Sequence, residues 1–135
     1  MKEEGIGTIV YVSRAVKDIS ESDLNSLFES TELNNQDLEI TGILLYSDKT
    51  FLQVLEGEYP IISSLYETIA EDERHYNIIK LVDTEKGNRI FEKYKTGFSI
   101  ITDKDDMTNL KLLIQQALDK KEHKEVAEKL NYFIA

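Results

Sequence analysis

What most restricts the fold of this chain is the order in which its hydrophobic pattern switches between the strand period of about 2 and the helix period of about 3.6. Residues 7–13 (Gly-Thr-Ile-Val-Tyr-Val-Ser) alternate as a strand, with Ile9, Tyr11 and Ser13 on one face and Val10 and Val12 on the other. Residues 20–29 read as a helix: Ser20 caps it, Asp23 follows three positions on, and Leu24, Leu27 and Phe28 form its apolar stripe. Asn34-Asn35 falls in the loop that follows. Residues 38–47 and 50–56 read as a strand pair joined at Asp48-Lys49. Pro60, the only proline, suits the first turn of a second helix carrying Ile61, Ile62, Leu65, Tyr66 and Ile69. Residues 76–83 and about 92–101 read as two further strands, with Gly87-Asn88 available for a turn between them.

That order predicts an α+β fold, a ferredoxin-like βαββαβ unit with an added fifth strand. In such a unit the first and third strands lie side by side at the sheet centre, and the two helices flank a groove on one face. Tyr11 and Gln53 then become cross-strand neighbours. The second strand, Ile40 to Leu45, is apolar on both faces, so both faces of the sheet need a cover. The tail offers one in two helical stripes: Leu110, Leu113, Ile114, Ala117 and Leu118, then Val126, Ala127, Leu130, Phe133 and Ile134. We therefore expect residues 1–102 to form the core domain and 103–135 a helical extension packed on its opposite sheet face. No repeat, low-complexity segment or linker marks a separate output domain.

Gln53 breaks an otherwise apolar strand, Phe51-Leu52-Gln53-Val54-Leu55-Glu56-Gly57, and shares a face with Phe51 and Leu55. A primary amide between large apolar neighbours is costly unless its donors and acceptor find partners. A protein side chain meets that need, and so does the polar edge of a bound ring. Composition narrows the field. Sixteen Lys and Arg against 26 Asp and Glu give a net charge of −10, which disfavours nucleic acid and anionic membranes as partners. With no cysteine, disulfides, thiolate catalysis and Cys-based metal sites are excluded. His75 and His123 lack companions at ligand spacing, so no metal site is expected. No nucleophile–base motif or phosphate-cradling glycine loop is present, and Glu56 has no activated partner for acid–base work; no enzyme activity is expected. Met1 to Gly5 leads into a strand-like run rather than a signal-peptide core, and no apolar stretch is long enough to cross a bilayer, so a soluble, cytoplasmic protein is expected.

Taken together, the motifs make the chain resemble the BLUF family, blue-light sensors that bind a flavin. The likeness runs from about Gly7 to Ile101. It rests on Tyr11-x-Ser13, Asn34-Asn35, Ile40-Thr41-Gly42-Ile43-Leu44-Leu45-Tyr46, Phe51 to Gly57, Asp72-x-Arg74-His75 and Arg89-x-Phe91. The resemblance implies non-covalent FAD, or FMN, between the two central helices. By the same resemblance, Tyr11 is the electron donor to the excited flavin, and Gln53 bridges that phenol and the N5/O4 edge of the ring. Asn35, with Asn34 beside it, bonds the carbonyl and N3 side. Asp72, Arg74 and His75 lie near the ribityl and phosphate tail. Ser13, Tyr94 and Thr96 are relay positions. Tyr94 and Thr96 stand where the family often carries Trp and Met, and they are expected to serve as a second electron donor and as a hydroxyl contact to Gln53.

The resulting expectation is a photoreceptor without enzyme activity. It would signal through an unidentified protein partner or a second copy of itself, with the C-terminal helices as the signalling surface. The rival reading is a flavin-free interaction domain of the same fold, in which protein alone satisfies Gln53.

Overall fold

The computed structural model describes residues 5–92 and 98–134. Its elements are β1 (Ile6–Ala15), α1 (Glu21–Asp37), β2 (Thr41–Ser47), β3 (Thr50–Glu58), α2 (Tyr59–Ala70), β4 (His75–Thr84), β5 (Phe98–Ile101), α3 (Lys104–Leu118) and α4 (Lys124–Ile134), with a short 3-10 turn before α4. The strands form one sheet in the order β4-β1-β3-β2-β5. β1 to β4 pair antiparallel, and β5 adds in parallel beside β2. The ferredoxin-like expectation therefore holds, with β1 and β3 at the centre.

Local chemistry accounts for the boundaries. The Ser20 hydroxyl accepts the Asp23 amide at 3.0 Å and starts α1. Pro60 sits in the first turn of α2, where a missing N–H leaves no intrahelical bond unmade. Asp48 and Lys49 both take positive φ, the backbone of a two-residue hairpin turn whose twist matches its strands. Gly42 has φ +140°, and a Cβ there would meet the Val54 carbonyl oxygen at 1.9 Å, so β2 and β3 pair this way only with glycine at that position.

Two boundaries differ from the sequence reading. α1 runs on to Asp37, so Asn34-Asn35 lies in its last turns and not in a loop. Ser30, Thr31 and the two asparagines are weak helix formers, but the Asn35 carbonyl accepts the Ile40 amide at 2.8 Å and locks the helix end onto the entry to β2. Gly87-Asn88 does not turn between paired strands, because β4 and β5 stand at opposite edges of the sheet. Instead the Gly87 amide donates to the Ile6 carbonyl at 2.8 Å, and the Asn88 side chain reaches the Glu122 carbonyl at 3.3 Å. Of the last strand, expected over about 92–101, the described part is Phe98–Ile101, and residues 93–97 lie outside the described residues.

Two apolar clusters sit on opposite faces of the sheet. Ile9, Leu44, Phe51, Leu55 and Ile62 pack under α1 and α2. Val10, Val12, Ile43, Val54 and Phe91 pack with Leu110 and Ile114 of α3 and Leu130 of α4. The tail helices thus cover the face away from Tyr11 and Gln53, and the period-2 alternation of β1 and β3 separates the two sides.

Candidate functional site

The register of β1 on β3 sets Tyr11 directly opposite Gln53. The Tyr11 hydroxyl donates to Oε1 of Gln53 at 2.5 Å, and both side chains are buried. Burial pushes the phenol well above its ordinary range, and the negative charges that Tyr66 and Asp72 can carry add to that. Tyr11 therefore stays protonated and donates, which turns the amide so that Nε2 points away from it. Nε2 is buried and has no hydrogen-bond partner among the described residues. An orphaned amide of this kind costs about 1–3 kcal/mol.

A cleft opens to solvent on this side of the sheet, between α1 and α2. Tyr11, Leu44, Phe51 and Gln53 form its floor; Leu27 and Thr31 of α1 and Ile69 of α2 form its walls. Asp72, Arg74 and His75 stand where α2 gives way to β4. Asn35 lies one helical turn past Thr31, on the same side of α1. It is 1% exposed, and its Nδ2 is the second orphaned amide donor beside this cleft. Asn34, by contrast, is exposed, and its carbonyl accepts the Leu38 amide that ends α1.

The charged residues at the cleft are tied to one another. Arg74 reaches both carboxylate oxygens of Asp72, with Nη2 at 2.6 Å and Nε at 2.9 Å from the nearer oxygen of each contact. That hydrogen bond, opposed by partial burial, holds the Asp72 carboxyl below its usual range. His75 is fixed from both ends: Nε2 lies 2.7 Å from the Ile69 carbonyl and Nδ1 lies 2.7 Å from Ser13 Oγ. A carbonyl only accepts, so Nε2 carries a proton and donates to Ile69, while Nδ1 shares a hydrogen bond with the Ser13 hydroxyl. The His75 ring meets Tyr11 and Phe51 edge-on, with centroids 6.2 Å away in each case. Tyr66 packs edge-on against Tyr11 at 5.7 Å.

The structure thus gathers Tyr11, Ser13, Gln53, Asp72, Arg74 and His75 around one cleft, with Asn35 beside them, and leaves Asn34 facing solvent. Tyr94 and Thr96 lie outside the described residues. Sequence reasoning missed the Ser13–His75 pair, whose members stand 62 residues apart, and it missed the bonds made by Glu56. The signal for Glu56 was a carboxylate inside an apolar strand, on the face opposite Gln53. A cleft with aliphatic walls and an aromatic floor, with one unpartnered amide donor in it and a second beside it, fits a planar heterocycle rich in acceptors, and a flavin ring offers such an edge. No group of side chains suited to a metal ion exists among the described residues, and none of their helices is long and apolar enough to cross a membrane.

Comparison with known proteins agrees with this geometry. A family model described as "Sensors of blue-light using FAD" matches residues 6–97. The beta subunit of a photoactivated adenylate cyclase from Euglena longa is 36% identical over 72 residues, covering 53% of this chain and 8% of that protein. The blue light- and temperature-regulated antirepressor BluF of Escherichia coli K12 is 32% identical over 75 residues, 56% of this chain and 19% of its own length. The chain thus spans less than a fifth of these relatives. Among solved structures, the BLUF domain of BlrP1 superposes with a TM-score of 0.77 at 28% identity, covering 98% of this chain and 92% of that one. Klebsiella pneumoniae BlrP1 with FMN and cyclic diGMP superposes at 0.74 and 27% identity, over 96% of this chain and 34% of that one.

Proposed function

The chain belongs to the BLUF family of blue-light sensors that use FAD, and from that premise we propose that Tyr11 and Gln53 are its photochemical pair and that its output is a change of contact with a protein partner. The observation that carries this reading is the Tyr11–Gln53 hydrogen bond, with the far end of the amide left free toward the cleft. A flavin-free interaction domain would need a protein partner for Nε2.

Asn35 supplies a second donor to the ring edge, whereas Asn34, exposed at the end of α1, stays outside the site. Asp72, Arg74 and His75 hold the polar tail, and Ser13 orients His75. Tyr94 and Thr96 act as relay residues on the strand that follows. FAD is the family's cofactor; FMN is the alternative occupant. When bound, the flavin supplies a ring that absorbs blue light and, once excited, draws an electron from a neighbouring donor. The rest is the work of the chain. Tyr11 is buried and protonated, and on losing an electron it becomes strongly acidic. Its proton then passes along the 2.5 Å bond to Gln53. A carboxamide that accepts at oxygen and donates at nitrogen relays that change through itself. When electron and proton return, the amide is left rotated or tautomerised, and its bonds to β1 and the cleft differ from those in the dark.

Residues 1–102 form the flavin-binding unit and 103–135 an extension whose helices present the signal. No substrate is turned over by this unit, and the cyclase activity of its relatives belongs to the parts this chain does not match. We place the protein in the cytoplasm, able to self-associate and to bind a downstream protein. An absorption spectrum before and after blue illumination tests the core of the reading. A red shift that decays in the dark is expected; a protein left colourless by added flavin would overturn it.

A further inference from the structure

Glu56 stands three residues past Gln53 on β3, so strand alternation turns it to the opposite face of the sheet. There it is fully buried. Its Oε1 accepts from the Thr41 hydroxyl at 2.7 Å and the Phe91 amide at 3.1 Å, and its Oε2 accepts from the Ile90 amide at 2.7 Å. Beside it, Arg89 bonds the Glu39 carbonyl, the Thr41 hydroxyl and the Glu56 carbonyl at 2.9, 3.1 and 3.3 Å. One carboxylate thus ties β2, β3 and residues 89–91 together. Ile90 and Phe91 belong to the same buried cluster as Ile101 of β5 and Leu110 and Ile114 of α3. A buried carboxylate is weak support for stability, because apolar residues of similar volume often replace such groups without loss. Its placement calls for another reason.

We infer that Glu56 is a positioning residue that couples the light-sensing strand to the C-terminal helices, by holding the Ile90 and Phe91 backbone in step with β3. The inference rests on the light-sensing reading above. A displacement of β3 that follows the rearrangement of Gln53 is handed through two amide-to-carboxylate bonds, one from Ile90 and one from Phe91, and from the Phe91 ring to the cluster it shares with α3. Such bonds are shorter and stronger when the acceptor is ionised, so a protonated Glu56 holds the segment less firmly.

The tether changes strength in the neutral range. Burial pushes the Glu56 carboxyl up to about 7, against the lowering pull of its bonds to Thr41, Ile90 and Phe91 and of the Arg89 charge. Arg89 is the charged group acting on it; Thr41 on β2 and its register partner Thr8 on β1 are uncharged.

The test is hydrogen exchange of α3 and α4 in flavin-loaded protein, dark and illuminated, from about pH 5.5 to about pH 8.5, a span that brackets the neutral range. In the wild type the light-minus-dark difference is expected at the upper end and to be lost toward the lower end, while the absorption shift keeps its amplitude. Glu56→Gln is expected to bind flavin and show the shift, yet to lack the exchange difference at every pH. An exchange difference in Glu56→Gln matching wild type, or a wild-type profile flat with pH, overturns the coupling. Should Glu56→Gln fail to fold, Thr41→Val keeps the carboxylate and removes a bond that lowers its pKa, so the midpoint of the profile moves to higher pH; an unmoved midpoint overturns the coupling equally. Absence of the absorption shift in the wild type strikes the light-sensing reading itself and the coupling with it, which tells the two failures apart.

Discussion

Tyr11 and Gln53 are register partners at the centre of the sheet, and the phenol of one fixes which end of the other's amide meets the cleft. Because β1 and β3 are flanked on both sides by other strands, neither residue adjusts without disturbing a ladder. The pair is therefore geometrically stiff and chemically labile, the combination a reversible hydrogen-bond switch requires.

Gln53→Leu removes the relay while roughly preserving shape, and Tyr11→Phe removes the proton. Both variants are expected to retain flavin and to lose the light-induced shift. The leucine removes the unpartnered Nε2 but strips the buried Tyr11 hydroxyl of its acceptor, two effects of similar size and opposite sign, so the change in stability without flavin is expected to stay within about 1 kcal/mol. Spectra under illumination and urea denaturation check the two halves of this expectation, and a normal shift in either variant refutes the roles assigned.

Asn35→Ala deletes the second orphaned donor. Loss of one hydrogen bond to the ring is worth about 1–3 kcal/mol, so flavin binding should weaken by roughly 5- to 150-fold. Fluorescence titration reads this directly. Asn34→Ala, at an exposed position, serves as the comparison and should change affinity far less.

Ser13→Ala leaves Nδ1 of His75 without its partner. A buried polar group stripped of its partner destabilises by about 1–3 kcal/mol. Chemical denaturation measures the loss, and imidazole nitrogen NMR should show the Nδ1 resonance of His75 shifted while Nε2 keeps its proton on the Ile69 carbonyl.

Glu56 makes stability fall as pH rises. Its unfolded value is 4.5 and its folded value about 7, so between them the folded chain binds the extra proton. The contribution is complete below pH 4.5 and is lost as pH climbs through about 7. The full swing is on the order of 3 kcal/mol. Comparing denaturation midpoints of wild type and Glu56→Gln across this window isolates it from the other carboxylates, and parallel curves would count against it.

The sheet and its helices were legible because the hydrophobic period changes cleanly along the chain. The Tyr11–Gln53 contact was legible because an amide in an apolar strand demands a partner and the fold sets β1 beside β3, whereas the photochemical role proposed for it came from the family resemblance. The extent of α1 was not legible, since Ser30, Thr31 and Asn34-Asn35 are weak helix formers, while the bonds that close the helix, from the Leu38 amide to Asn34 and from the Ile40 amide to Asn35, show only in the folded backbone. The two edges of the sheet were misread at Gly87-Asn88: turn chemistry marks a change of direction but not the strand to which the chain returns. The Ser13–His75 contact and the grip of Glu56 on Ile90 and Phe91 depend on distant residues meeting, which no local pattern encodes.

The unpartnered amide on the cleft floor exists only in the folded chain, so a molecule that satisfies it binds the native state and not the unfolded one. A pigment that binds the native chain alone shifts the folding equilibrium toward it, by about 2.7 kcal/mol at a hundredfold excess over its dissociation constant. Vitamin supply would then govern abundance as well as sensitivity: a cell starved of riboflavin would hold fewer copies of its photoreceptor, and those copies would be blind.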